Sequence, residues 1–370
     1  MLTKSKVVKF LCIFIVMKPK KIHYLLTILL PFQVLFIGWL SSHPELVEEY
    51  YSKGFYPFIS SLFRVLFGWI PFSVGDLLLF YLIIIALRFL YKTIKNFKKS
   101  WVLRLFQFTS FFSILYFCFY LFWALNYFRE PLAKNFGFEN KKYTTDQLVN
   151  LTNILIQKAN ESHLKISSDS SLIPVFPYEK KEIYALAKES YVNLEKSYPL
   201  FEYNHTSVKS SLMSLLQTYN GTSGYMNPLS GEAQVNDKIP ITGYPTTTCH
   251  EIAHQIGFAA ENEANFIGFL AASHSNDLYF QYSAYRMALR YTIFEVYKRD
   301  KQMFKAMITK INKGILNDYN RSNEFWKQYK NPLEPLIKKG YNNYLKANNQ
   351  QKGIKSYNYV VDLLISYYQL

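Results

Sequence analysis

Two histidines four residues apart, His250 and His254, with Glu251 beside the first, are the side chains in this sequence best suited to chemistry. On an α-helix, positions i and i+4 share one face a turn apart. Two imidazoles so placed can hold one Zn²⁺, each nitrogen about 2.0–2.1 Å from the ion. Glu251 lies roughly 100° round from His250, placed to take a proton from a water on that ion. The pattern is H-E-x-x-H.

Two imidazoles leave a hydrolytic zinc site one protein ligand short. On an unbroken helix Glu261 would lie roughly 16 Å along the axis from His250, too far for one ion. The helix must stop and the chain turn back, and Gly257 is the residue that permits this. Two carboxylates then come into range, Glu261 and Glu263. Glu261 is preferred because Asn265 follows one turn later, where a side-chain amide can orient a ligand; Glu263 stays open as the alternative. Ala260 stands where H-E-x-x-H-x-x-G-x-x-H sites place a third His, which excludes that arrangement. A purely structural site normally draws four Cys or His, and the only nearby Cys, Cys249, points to a different face. His274 is a conceivable fourth ligand but reads as a solvated or capping group. Tyr282, Tyr285 and Tyr357 are candidates for a phenol that stabilises an oxyanion, although in a chain with 31 Tyr packing is the commoner role.

Further segments extend a family likeness beyond the histidines: 71–76 (PFSVGD), 125–129 (LNYFR), 223–228 (SGYMNP), 231–236 (GEAQVN), 353–357 (GIKSY) and 361–363 (VDL). With them the chain resembles a bacterial membrane family of unknown function that is grouped with gluzincin-type metallopeptidases, over most of residues 43–370. The resemblance implies a zincin-like α+β domain and peptidase chemistry, with no substrate assigned. It also implies a strand upstream of the zinc helix that lines the cleft and pairs with extended substrate. Gly231, Glu232, Ala233, Gln234, Val235 and Asn236 are the residues placed there.

The elements that must position this site begin in an apolar N-terminal third. Runs near 23–41, 74–91 and 105–127 approach or exceed the ~20 residues that cross a ~30 Å hydrocarbon core. Pro31 kinks the first without forbidding it, and Phe10–Met17 is too short to span. Residues 57–72, interrupted by Arg64 and bracketed by prolines, read as interfacial. The first span has a long apolar core with no A-x-A site after it, so it reads as a retained anchor, not a cleaved signal peptide.

Charge sets the expected orientation. Residues 1–21 hold six basic and no acidic residues, and 88–104 again hold six basic and none acidic. The loop between the first two spans carries Glu45, Glu48, Glu49 and Asp76 against Lys53 and Arg64. The positive-inside rule then places the N-terminus in the cytoplasm and everything after residue 128 outside it, in a multi-pass inner-membrane protein. Of the net charge of +16, residues 1–127 supply 14 basic against 4 acidic groups, which topology explains. The remaining 28 basic and 22 acidic groups are dispersed, so there is no nucleic-acid footprint, and membrane lipid is the charge-compatible surface. Cys12, Cys118 and Cys249 form no disulfide framework.

After a linker at 128–145, helical periodicity is expected from Thr145, with a break at 160–174, a helix near 179–195, strands and turns over 219–245, then helices at 264–272, 278–298 and 357–368. The fold class expected is therefore a three-span membrane region, 1–127, plus a mainly helical, zincin-like domain, 128–370. The function expected is a zinc metallopeptidase acting on envelope peptides or proteins, with Glu251 as general base. The alternative is a non-catalytic zinc protein that binds an envelope partner, which would have no need of Glu251.

Overall fold

The computed structural model describes residues 21–95, 97–138 and 142–370. The Phe10–Met17 run and the basic residues before Lys21 lie outside the described residues. Three helices are long and apolar enough to cross a membrane: α1 (Lys21–Ser41), α3 (Val74–Lys95) and the Trp101–Phe122 part of α4 (Phe97–Phe122). Helices α1 and α4 are pinned by polar pairs, Thr27 to Thr109 at 2.7 Å and His23 Nδ1 to Ser110 at 3.0 Å. In lipid, such bonds and close packing hold helices together, because apolar burial no longer discriminates.

Between α1 and α3 the chain forms a π-helical stretch, Val47–Phe55, which runs into α2 (Tyr56–Phe67). The segment expected at the interface is thus helical and two-sided. Phe58, Leu62, Val65 and Leu66 face outward, while Tyr56, Ser60 and Arg64 are buried against the rest of the chain. The third span also ends earlier than its apolar run. Trp123 breaks the helix, and Ala124–Phe128 forms a buried 3₁₀ turn whose aromatic side chains pack with Val47, Tyr51 and Tyr56. Hydropathy alone could not distinguish lipid from protein as the surroundings of 123–128.

The remainder is mainly helical: α5 (Thr145–Ile166), α6 (Lys180–Ser197), α7 (Ser214–Asn220), α8 (Tyr244–Gln255), α9 (Glu261–Ser273), α10 (Leu278–Arg299), α11 (Lys301–Ile308), α12 (Lys313–Gln328), α13 (Glu334–Ala347) and α14 (Val360–Tyr367). Helix α5 runs past the break expected at residue 160, because Ala159, Ser162 and His163 are buried and His163 Nε2 meets the Leu172 carbonyl at 2.9 Å. Tyr357, expected in the last helix, lies in the preceding 3₁₀ segment Gly353–Tyr359.

A small sheet contains β1 (Val208–Ser210), β2 (Gly224–Asn227) and β3 (Glu232–Val235) in the order β1-β3-β2. Strand β3 is central: parallel to β1 with Val208 opposite Ala233, and antiparallel to β2 with Tyr225 opposite Gln234. Helix α8 lies in the core, with Cys249, Ile252 and Ala253 fully buried. Burying a side chain such as Ile252 stabilises the fold by about 1.5–3 kcal/mol. These contacts fix the face of α8 that is left for His250 and His254.

Candidate metal centre

Helix α8 has Pro245 in its first turn, where a missing N–H costs nothing, and stops at Gln255, two residues before Gly257. Gly257 has φ +99°, and a Cβ there would come 2.9 Å from the Tyr56 ring. Both the backbone conformation and the crowding therefore require glycine. The chain reverses, and Glu261 opens α9 on its first turn, with Glu263 beside it. Gly268 lets α9 cross α8 closely, since a Cβ there would lie 3.1 Å from the His250 backbone nitrogen.

The reversal brings His250, His254 and Glu261 to one point, their ligand atoms all within 4.8 Å of one another. Glu261 Oε2 is 3.3 Å from His250 Nε2 and 3.4 Å from His254 Nε2. His254 Nδ1 meets the Phe258 carbonyl at 2.8 Å. That bond holds a proton on Nδ1 and turns Nε2 toward Glu261. Above the ring of His254 stands Trp123, edge-on at 6.0 Å, whose indole N–H donates to the His254 carbonyl at 3.0 Å. The end of the third span thus clamps the helix that carries the histidines.

Glu251 lies on the sheet side. Its Oε1 would be 2.5 Å from a Cβ on Gly224, so β2 approaches the carboxylate through a residue with no side chain. The Asn236 N–H donates to the Ser223 carbonyl at 2.9 Å. Antiparallel pairs alternate, so the next residue, Gly224, turns its own N–H and C=O to the outer edge. Among the described residues β2 pairs with β3 alone.

Charges within this cluster are strongly coupled. Burial alone would push the Glu261 carboxyl up, but the rings of His254 and His250 hold it well below the usual carboxylate range. For His254 burial pulls down, yet Glu261 overrides it and lifts the imidazole to about 9. His250 stays below its ordinary value, chiefly through burial, with the charge on His254 adding to the effect. Both shifts favour the His254 imidazolium paired with the Glu261 carboxylate, and a metal bound at Nε2 would displace that proton. Burial pushes Glu251 up to about 8; a cation at the three-ligand focus would draw it down again. Three buried atoms, His250 Nδ1, Glu251 Oε2 and Glu261 Oε2, make no hydrogen bond. An unsatisfied buried polar atom typically costs about 1–3 kcal/mol. Two imidazoles and a carboxylate around one focus, with orphaned acceptors, fit a zinc ion.

Other residues singled out in the sequence separate cleanly. Asn265 lies one turn from Glu261, and its amide donates to the Tyr291 hydroxyl at 3.1 Å. Glu263 is turned away: its Oε1 accepts from the Leu132 backbone N–H at 2.7 Å, so it ties down the linker and is no part of the focus. Tyr282 is fully buried and donates to Asp318, and Tyr285 packs on Phe269, so neither serves the cluster. His274 caps α9, its Nδ1 2.8 Å from the Leu270 carbonyl. Tyr357 does come close, its hydroxyl 3.1 Å from that of Tyr341.

The strand expected to take substrate needs correcting. Glu232, Ala233, Gln234 and Val235 form the central strand, with both edges occupied by β1 and β2. Gly231 is a left-handed turn residue, and Asn236 spends its side chain on Thr218 and the Thr222 carbonyl. The Glu232 carboxylate accepts from the N–H groups of Val74 and Gly75 at the start of α3. The outer strands are β1 and β2, and the one whose edge lies beside Glu251 is β2, at Gly224. Strand order depends on pairing between distant segments, which local patterning does not carry.

Tyr341 was not anticipated. Its hydroxyl donates to Glu261 Oε1 at 2.7 Å, from a helix 80 residues downstream. No local spacing marks it, because α13 reaches the site only through the tertiary fold.

A family model described as "Protein of unknown function (DUF3810)" matches residues 51–365. The chain belongs to this family. No curated protein and no solved structure matches it. The DUF3810 match runs from the π-helical stretch after α1 into α14, so it takes in α2 and two of the three apolar helices together with His250, His254 and Glu261.

Replacing the two carboxylates separates their roles. Glu261→Gln should weaken zinc binding by about 10–100-fold or more, while Glu263→Gln leaves it unchanged and lowers only thermal stability. Competitive titration with a chelating dye reads the first, and a melting curve the second. Equal zinc affinities for the two variants would remove Glu261 from the ligand set.

Proposed function

We propose that this protein is a membrane-anchored zinc metallopeptidase, with a zincin-like catalytic domain and its active site on the extracytoplasmic side. The observation that carries this reading is the convergence of His250, His254 and Glu261 with a separate carboxylate, Glu251, against the free edge of a strand. A zinc site that only binds has no use for a buried general base beside it.

His250, His254 and Glu261 would hold the ion, which supplies Lewis acidity and lowers the pKa of a water at the site. Extended peptide pairs with the outward N–H and C=O of Gly224, which sets the scissile bond beside Glu251. Glu251 accepts a proton from the attacking water and returns it to the leaving amine. Tyr341 and Asn265 act on the ligands: Tyr341 fixes one oxygen of Glu261, and Asn265 lies between Tyr291 and His250. Tyr357, beside Tyr341, is the phenol nearest the cluster among the candidates and the one placed to meet an oxyanion.

Purified protein in detergent should carry about one zinc per chain by elemental analysis, lost in the His250→Ala, His254→Ala double variant. Full helical content with no affinity for zinc in the wild type would end this reading. Orientation has its own test. A reporter active only outside the cytoplasm should work when fused after Leu370 and fail when fused at residue 96. The opposite pattern would put the cluster in the cytoplasm.

A further inference from the structure

A cavity of about 560 Å³ lies between the three apolar helices and the sheet, lined by Leu30, Leu79, Phe112, Leu115, Tyr225 and Leu229 among others. Its wall is almost wholly apolar, yet Tyr225 belongs to β2 and is the neighbour of Gly224. Successive side chains of a strand point to opposite faces. Gly224 therefore faces Glu251 and Tyr225 the cavity, on one strand, a single residue apart.

The surroundings place this strand at lipid level. The Leu212 N–H donates to Asp76 Oδ2 at 2.7 Å, in the first turn of α3, where that apolar helix begins. Next to it Leu212, Leu215 and Leu216 are 51%, 52% and 57% exposed, and Trp69 is 79% exposed. A rim of bare leucine and tryptophan at the start of a span is suited to the headgroup–acyl boundary. Tyr225 on β2 donates to the same Asp76 carboxylate, so β2 too is held at the start of this apolar helix.

We infer that the substrate is a peptide anchored by an acyl chain, with the chain lodged in this cavity and the peptide laid along β2 towards Glu251. This rests on the peptidase reading above. Size and apolar lining suit the anchor. A single acyl chain falls within the roughly 300–1,000 Å³ range of pockets that hold one small ligand. Distance sets the cut. From Asn227, at the cavity wall, to Gly224 is three residues of strand, about 10 Å. Cleavage should therefore fall within about two to four residues of the acylated one.

The test uses full-length protein in phosphatidylglycerol-containing vesicles. A randomised octapeptide library is presented with and without an N-terminal palmitoyl group, and products are read by mass spectrometry. The palmitoylated library should be cut roughly tenfold faster or more, near its anchor. Leu79→Trp and Leu115→Trp, which fill the cavity, should remove that advantage while zinc content and cutting of the plain library stay unchanged. Equal rates for the two libraries would overturn the inference. So would an advantage that survives both tryptophans, since the acyl chain would then only be concentrating peptide on the vesicle. A second measurement is independent of turnover. Glu251→Gln protein is photolysed with a palmitoyl peptide that carries a diazirine on the chain. Cross-links at Leu79, Leu115 or Leu229, competed by unlabelled palmitoyl peptide but not by phospholipid, support the acyl site even if no library is cut, in which case the peptidase reading alone fails. Cross-links competed equally by phospholipid, or scattered over the outward faces of the spans, mean bulk lipid fills the space and overturn it.

Discussion

Glu251→Gln protein should keep its zinc and its fold while losing peptide hydrolysis by about 10²–10⁴-fold. The carboxylate accepts no hydrogen bond from the rest of the chain through Oε2, and none of the three ligand atoms depends on it. The amide preserves its shape against Gly224 and removes only the base. The loss should therefore appear in kcat, with KM nearly unchanged. Elemental analysis and circular dichroism monitor metal and fold, and a coupled assay in vesicles monitors rate. A variant that still hydrolyses peptide at the wild-type rate would exclude Glu251 as the base and sink the mechanism. If Glu251→Gln and wild type support cells equally while His250→Ala does not, the site binds and does not catalyse.

Arg129→Met should destabilise the protein by about 3–5 kcal/mol, the largest effect on stability expected of any single change here. Arg129 forms a two-pronged pair with Glu48, Nε to Oε2 at 2.9 Å and Nη2 to Oε1 at 2.8 Å, with both side chains buried. Its third arm donates to the Gly257 carbonyl at 2.9 Å, and its guanidinium stacks 4.1 Å from the centre of the Phe258 ring. One side chain thus joins the segment after α1 to the turn between α8 and α9, the helices that carry His250, His254 and Glu261. Removing it leaves the buried Glu48 charge with only the half-exposed Lys53 ammonium, 3.4 Å away, which accounts for most of the cost. The double variant Arg129→Met, Glu48→Gln should recover much of the loss. Acid should act on the same pair. Burial raises the Glu48 pKa, but Arg129 and Lys53 outweigh it and hold the carboxyl below its ordinary value. A depressed carboxylate contributes stability above its unfolded pKa and loses it as pH falls through the folded value. The gap between wild type and Arg129→Met should accordingly narrow on acidification. Melting curves in detergent at two pH values measure both effects, and a gap independent of pH would contradict the assignment.

What the sequence determined by itself was whatever depends on local spacing. The i, i+4 histidines could share a face only on a helix, and the axial rise of that helix demanded a reversal at Gly257. Apolar runs of span length announced three membrane helices, and Asn265 one turn after Glu261 already favoured that carboxylate. The tertiary structure decided everything that needed distant segments to meet. Glu263 was excluded because the Leu132 N–H reaches it across the linker. Tyr341 entered because α13 folds back over Glu261, and Trp123 because the third span stops short and turns into the domain. Strand order moved the open edge from 231–236 to Gly224, since β1 and β2 flank β3 on both sides and, of these two outer strands, β2 is the one that meets Glu251. A helix face is set by a 3.6-residue period written in the chain, whereas the partner of a strand or a carboxylate is set by packing between residues tens to hundreds of positions apart.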